Sequence, residues 1–200
     1  MRSITVRGLA LSLGLLTLTG VARARPNHSG FTGDLGAGLA VTFVGRQNLS
    51  NCVGNVCGPD SYVNENKGQA GFALPSVSLG GFVTRRVAIL GRSASTAFSR
   101  DGDFYSYGFL GPIVEVWPHD VFFFSAGPGL TVAARNAYFL GTGEAQTAGW
   151  GLDLRAGFAL LRGTHNDLTL SAEVIPSFYS KNDVDAHAVG CALVAAWKWY

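Results

Sequence analysis

This chain is short of charge. Asp, Glu, Lys and Arg make up 14% of its 200 residues, against about 25% in an ordinary soluble domain. The charge it has does not lean to one sign. The formal balance is +2, so nothing steers the chain toward nucleic acid. Methionine is absent beyond the initiator, and there are three cysteines. Cys52 and Cys57 lack the two further thiol or imidazole ligands nearby that a metal site needs. Past residue 24 no run of ~18 apolar residues occurs, which excludes a transmembrane helix. No Gly-rich loop opening a helix is present to cradle a phosphate, and no cofactor is expected.

What is present begins with an export signal. Arg2 and Arg7 form a positive start, 9–21 is apolar but short for a membrane span, and Ala22-Arg23-Ala24 is a small-x-small cleavage site. Residues 1–24 read as a secretory signal peptide and 25–200 as one domain. Without the three leader arginines the mature chain has 12 basic residues against 13 acidic.

The mature chain alternates. Apolar residues recur at every second position, the mark of strands with two unlike faces. Eight strands are expected, at about 31–44, 68–83, 87–98, 104–117, 121–134, 148–161, 168–179 and 187–199. The third alternates poorly. Parity turns Leu35, Leu39, Leu130, Leu154, Val174 and Leu193 outward. It turns Asp34, Arg92, Glu115, Asp153, Arg155, Glu173 and Lys198 inward, as a lumen charge network. Connections after the second, fourth and sixth strands are short, and those after the first, fifth and seventh are longer; the one after the third, 99–103, is short too, a mild exception. An even number of strands with this loop asymmetry predicts an all-β, closed eight-stranded antiparallel up-and-down transmembrane barrel in the outer membrane of a Gram-negative bacterium, short turns toward the periplasm.

Several finer expectations follow. Phe82, Trp117, Phe122, Trp197, Trp199 and Tyr200 fall near the short-turn end. Phe98, Phe104, Tyr105, Tyr138, Phe139, Trp150, Phe178 and Tyr179 fall near the loop end. These predict two aromatic girdles. Pro75, Pro112, Pro128 and Pro176 lie within strands, which predicts bulges in the wall. Cys52 and Cys57, close together in a polar loop of an exported chain, predict a disulfide. Cys191 stands alone as a small apolar filler. Asp183-x-Asp185-x-His187 is the one spacing that could suit a metal in an outer loop, but it lacks further ligands.

With these features the chain resembles the small eight-stranded outer-membrane barrels of the OmpA/OmpX type, over residues 25–200. Its last strand is similar to the signal read by the barrel-assembly machinery: Gly190, then alternating apolar residues, then Trp197, Trp199 and a terminal Tyr200 where Phe is usual. The resemblance implies outer-membrane lipid as surroundings and that machinery as a partner in biogenesis; the chain is expected to be a monomer. Small lipid A deacylase barrels carry a His-x-Ser pair on a strand. Here the triplets are His119-Asp120-Val121, His165-Asn166-Asp167 and His187-Ala188-Val189, so that resemblance fails. The expected function is non-enzymatic, structural or surface-contacting. The alternatives are a narrow channel for small solutes or hydrophobic compounds, and a lipid-modifying membrane enzyme.

Overall fold

A computed structural model describes residues 30–48, 52–53, 56–57, 68–100, 102–135, 144–181 and 184–200. The expected leader, 1–24, lies outside them. The strands are β1 (Gly30–Asn48), β2 (Cys52–Val53), β3 (Val56–Cys57), β4 (Gly68–Thr84), β5 (Val87–Arg100), β6 (Asp103–Val116), β7 (Phe122–Arg135), β8 (Glu144–Arg162), β9 (Asn166–Lys181) and β10 (Val184–Trp199). Eight of them close into one antiparallel barrel in the order β1-β10-β9-β8-β7-β6-β5-β4. The seam joins the first long strand to the last, with Gly33 opposite Trp199 and Asn48 opposite Val184. Closure leaves no open edge on the barrel wall, which a lipid-facing sheet requires.

The strands run further at the loop end than alternation alone marks. β8 begins at Glu144, and β9 and β10 extend to Lys181 and from Val184. Asp185 and His187 therefore lie within β10, while Asp183 falls outside the described residues. β2 and β3 form a separate ladder in the loop after β1, with Cys52 directly opposite Cys57. Tight turns join strands at the other end. At the β4–β5 turn the Arg86 amide donates to Thr84 Oγ1 at 3.2 Å.

Alternation sets the two faces. Leu35, Leu39, Leu130, Leu154, Val174 and Leu193 are all exposed on the outer wall. Among the described residues no other element covers this apolar band. β5 departs from the pattern: Ala94, Ser95, Thr96, Ala97 and Phe98 are all buried.

Of the four strand prolines, Pro75 alone sits at a register shift, between Leu74 and Val77 in the β4–β5 ladder. The other three make no bulge, contrary to expectation. β6 and β7 pair at Leu110↔Leu130 and again at Val114↔Ala126, with no shift between. Pro112 and Pro128 thus stand opposite one another. Two facing prolines have no N–H to exchange, so the ladder lapses there without losing register. Pro176 does the same on the β8 side, between Gly151↔Ser177 and Leu154↔Val174, and stays paired to Val189 on the other. Glycine lets the strands close at the proline pair. A Cβ on Gly127 would collide with the Pro112 carbonyl oxygen.

Candidate functional site

The lumen holds the chemistry. Asp34 on β1, Arg92 on β5, Glu115 on β6, Asp153 and Arg155 on β8, Glu173 on β9 and Lys198 on β10 are each 3% exposed or less. Alternation directs them inward, and ladder pairing brings several level: Asp34 with Lys198, and Arg155 with Glu173. Arg92 is the hub. Its Nε donates to Asp153 Oδ2 at 2.7 Å, Nη2 to Glu173 Oε1 at 2.5 Å and Nη1 to Ser78 Oγ at 2.8 Å. The Ser78 hydroxyl donates in turn to Asp34 Oδ1 at 3.0 Å, and Arg155 Nη1 donates to Asp34 Oδ2 at 3.0 Å. Arg155 Nε reaches Ser171 Oγ at 3.0 Å and lies 3.2 Å from Glu173 Oε1.

Lys198 completes the set. Its Nζ lies 2.7 Å from Glu115 Oε1 and 3.6 Å from Asp34 Oδ2. Four carboxylates thus meet three cations. They are served unequally. Asp34 faces Ser78, Arg92, Arg155 and Lys198, whereas Asp153 has one donor and its Oδ1 has no partner.

Apolar side chains fill much of the remaining lumen. Ala88, Leu90, Ala94, Phe109, Ile113 and Ile175 form one cluster, with Phe82 against it. Ala40, Ala73, Val194 and Ala196 form another. At the short-turn end Trp117 and Phe123 are buried, their ring centres 5.0 Å apart. Trp117 Nε1 donates to Glu115 Oε1 at 2.7 Å. The Arg155 guanidinium lies 4.9 Å from the centre of the Phe123 ring, a distance at which a cation is attracted to the ring face. Tyr200 packs on Phe82 and Trp117 at 5.9 and 6.5 Å and donates from Oη to Asp167 Oδ2 at 2.9 Å. Burial and then the Asp167 carboxylate push this terminal phenol above its ordinary range, which keeps it a donor.

The girdle expectation is therefore corrected at both ends. Trp117 and Tyr200 form a floor inside the barrel. At the loop end Phe98 and Tyr179 are buried. Phe98 stacks on Tyr105 at 5.4 Å and Tyr107 at 6.1 Å, and Tyr107 meets Tyr179 at 6.4 Å. Phe122, Trp150, Phe178 and Trp197 do face outward, and Trp150 stacks on Phe178 at 4.6 Å. Tyr138 and Phe139 lie outside the described residues. Parity carries the signal for the buried rings: Trp117 shares it with Glu115, Phe98 with Arg92, and Tyr179 with Glu173.

In the last strand Trp197 is exposed, Trp199 half-buried and Gly190 buried. A Cβ on Gly190 would come within 3.0 Å of the Thr96 hydroxyl, which itself accepts from Thr42 Oγ1 at 2.9 Å. The missing side chain leaves room for that threonine pair. Cys191 is a free thiol, half-buried. Among the described residues no group of three His, Cys, Asp or Glu could hold a metal. His119 and His165 are exposed on short turns. The His119 ring accepts from the Val121 amide at 3.4 Å.

No protein-family model matches this chain, and no curated protein matches it. Solved structures do. Neisserial surface protein A superposes with a TM-score of 0.55 at 14% identity, over 86% of this chain and 97% of that one. Ail of Yersinia pestis, solved with the heparin analogue sucrose octasulfate, gives 0.40 at 14% identity, over 83% and 98%. The outer membrane protein OprG from Pseudomonas aeruginosa gives 0.47 at 7% identity, over 88% and 100%. At such identity the likeness to the Neisserial protein is one of fold, a closed antiparallel barrel of eight strands. Fold alone does not carry function.

Proposed function

We propose that this chain, built on the small eight-stranded outer-membrane barrel fold, is a bacterial outer-membrane protein without catalytic activity. Its role is structural or lies in contacts made by its loop end. The observation that carries the reading is the lumen. Seven charged side chains, each 3% exposed or less, bond to one another above an aromatic floor. A barrel of eight strands has an interior that side chains can fill. These side chains are bound to each other, which supports a rigid wall over a solute path. Their arrangement as mutual ion pairs also differs from the paired nucleophile and base that catalysis requires.

The exposed outer wall supports lipid as the surroundings, and the short turns support a periplasmic position for that end. Trp197, Trp199 and Tyr200 fit a segment handled by the barrel-assembly machinery, and the chain acts as a monomer. The test compares cells with and without the protein. It should fractionate with the outer membrane, and its loss should alter envelope integrity or surface attachment while uptake of small solutes stays unchanged. Slowed solute uptake with intact attachment and integrity would overturn the reading.

A further inference from the structure

We propose that the turn between β4 and β5 binds the phosphate of an anionic phospholipid in the leaflet at the short-turn end. The proposal rests on the membrane reading above. Arg85 and Arg86 are consecutive and both exposed. Neither has an ion-pair partner among the described residues. The turn that carries them is held from both sides: the Arg86 amide donates to Thr84 Oγ1, and the Trp117 amide donates to the Arg86 carbonyl at 2.8 Å. The backbone is fixed while two guanidinium groups are left for an outside acceptor.

The surroundings match one kind of ligand. Val83 lies just below the turn and Phe31 on the adjoining β1, opposite Gly81. They are 60% and 63% exposed. Ile89 continues the apolar face on β5. A greasy wall that ends in two planar cations complements a phospholipid, with acyl chains along the wall and the phosphodiester at its edge. Arginine suits that oxygen pair because its donors form a fork. Local charge favours an anionic headgroup. The same rim also carries exposed Arg162, His119 and His165, while Asp120 is half-buried on the next turn and Asp167 is buried beneath Tyr200. A zwitterionic headgroup would bring its own cation to this basic edge and bind less well.

The experiment offers the folded full-length protein equal amounts of phosphatidylglycerol and phosphatidylcholine, and counts retained lipids by native mass spectrometry. Retention of phosphatidylglycerol should exceed that of phosphatidylcholine by about thirtyfold, about fivefold for each of the two arginines. The preference should fall to parity in R85Q/R86Q, weaken in R85K/R86K, which keeps the charge but loses the fork, and survive in R100Q at the opposite end of β5. Added inorganic phosphate should not displace the lipid, since the wall contributes to holding it. Heat-modifiable gel mobility verifies that each variant is folded. Equal retention of both lipids by the unaltered protein would overturn the site but leave the membrane barrel standing. So would a preference indifferent to R85Q/R86Q. Failure to retain either lipid would overturn both.

Discussion

Asp34 and Lys198 stand directly opposite each other across the β1–β10 seam, yet the lysine reaches past its neighbour. Its ammonium lies 3.6 Å from Asp34 Oδ2 and 2.7 Å from Glu115 Oε1. The seam pairing and the stronger ion pair are thus different relationships. Glu115 is buried, and its Oε1 also accepts from Trp117 Nε1. In a lumen of low dielectric, removing one partner of such a pair costs about 3–5 kcal/mol, because the other charge remains buried. Lys198→Met should therefore destabilise strongly. In double-mutant cycles followed by urea unfolding from vesicles, Lys198 should couple to Glu115 by about 1–3 kcal/mol and to Asp34 by less. A larger coupling to Asp34 would reverse the assignment.

The four carboxylates should differ in cost. Asp34 meets three cations and Ser78, so Asp34→Asn should destabilise by about 3–5 kcal/mol. Asp153 accepts from Arg92 on one oxygen, and its other oxygen has no partner. An asparagine in its place would keep that acceptor and would bring the count to three carboxylates against three cations. Asp153→Asn should fall within about 1 kcal/mol of the unaltered protein. Equal losses in the two variants would show that the network does not discriminate between these sites.

The outer wall predicts a graded response to charge. Leu154 is exposed and lies one residue from the middle of β8. Leu154→Arg should cost roughly 2–4 kcal/mol near the bilayer midplane, and Leu161→Arg, close to the strand's end, about 0–1 kcal/mol. Unfolding in lipid vesicles measures both. If the two were equal, Leu154 would not be at the hydrocarbon centre.

Two glycines should respond oppositely to alanine. At Gly127 the new Cβ would run into the Pro112 carbonyl oxygen, whereas at Gly91 its nearest contact would be the Leu79 carbonyl oxygen at 3.8 Å. Backbone cannot step aside as a flexible side chain can, so Gly127→Ala should cost about 1–3 kcal/mol or more. Gly91→Ala should be tolerated. A tolerated Gly127→Ala would mean that β6 and β7 are less closely apposed at the facing prolines.

The loop after β1 predicts a disulfide. Directly opposed residues in an antiparallel ladder have Cα atoms about 4.5–5.5 Å apart, inside the ~4.4–6.8 Å that a disulfide spans. The register of Cys52 with Cys57 meets that condition. Thiol labelling of the unreduced protein should reach at most Cys191, and reduction should cost the fold at most ~3 kcal/mol. Labelling of all three cysteines without reductant would refute it.

Period-two alternation makes the eight strands and the inward set of charges legible, because side-chain direction follows parity whatever the neighbours do. It cannot say who pairs with whom. Partners such as Lys198 and Glu115 lie 83 positions apart and meet only once shear and side-chain reach are fixed. Trp117 and Tyr179 escape for a different reason. The preference of amphipathic rings for the headgroup level points both outward, and parity, which groups them with buried acids, is the stronger constraint. The lapsed pairing at Pro112 and Pro128 is hidden too, since their opposition depends on the register between β6 and β7.

The filled lumen proposed above should pass no ions, and planar-bilayer recording of the purified, folded protein asks that question without intermediaries. No discrete conductance steps should rise above the bare membrane. Steps should appear once the floor and hub are cut back together in Trp117→Ala/Arg92→Ala, in a variant verified as folded by heat-modifiable mobility. Reproducible single-channel steps from the unaltered protein would mean that the charged and aromatic side chains do not seal the barrel.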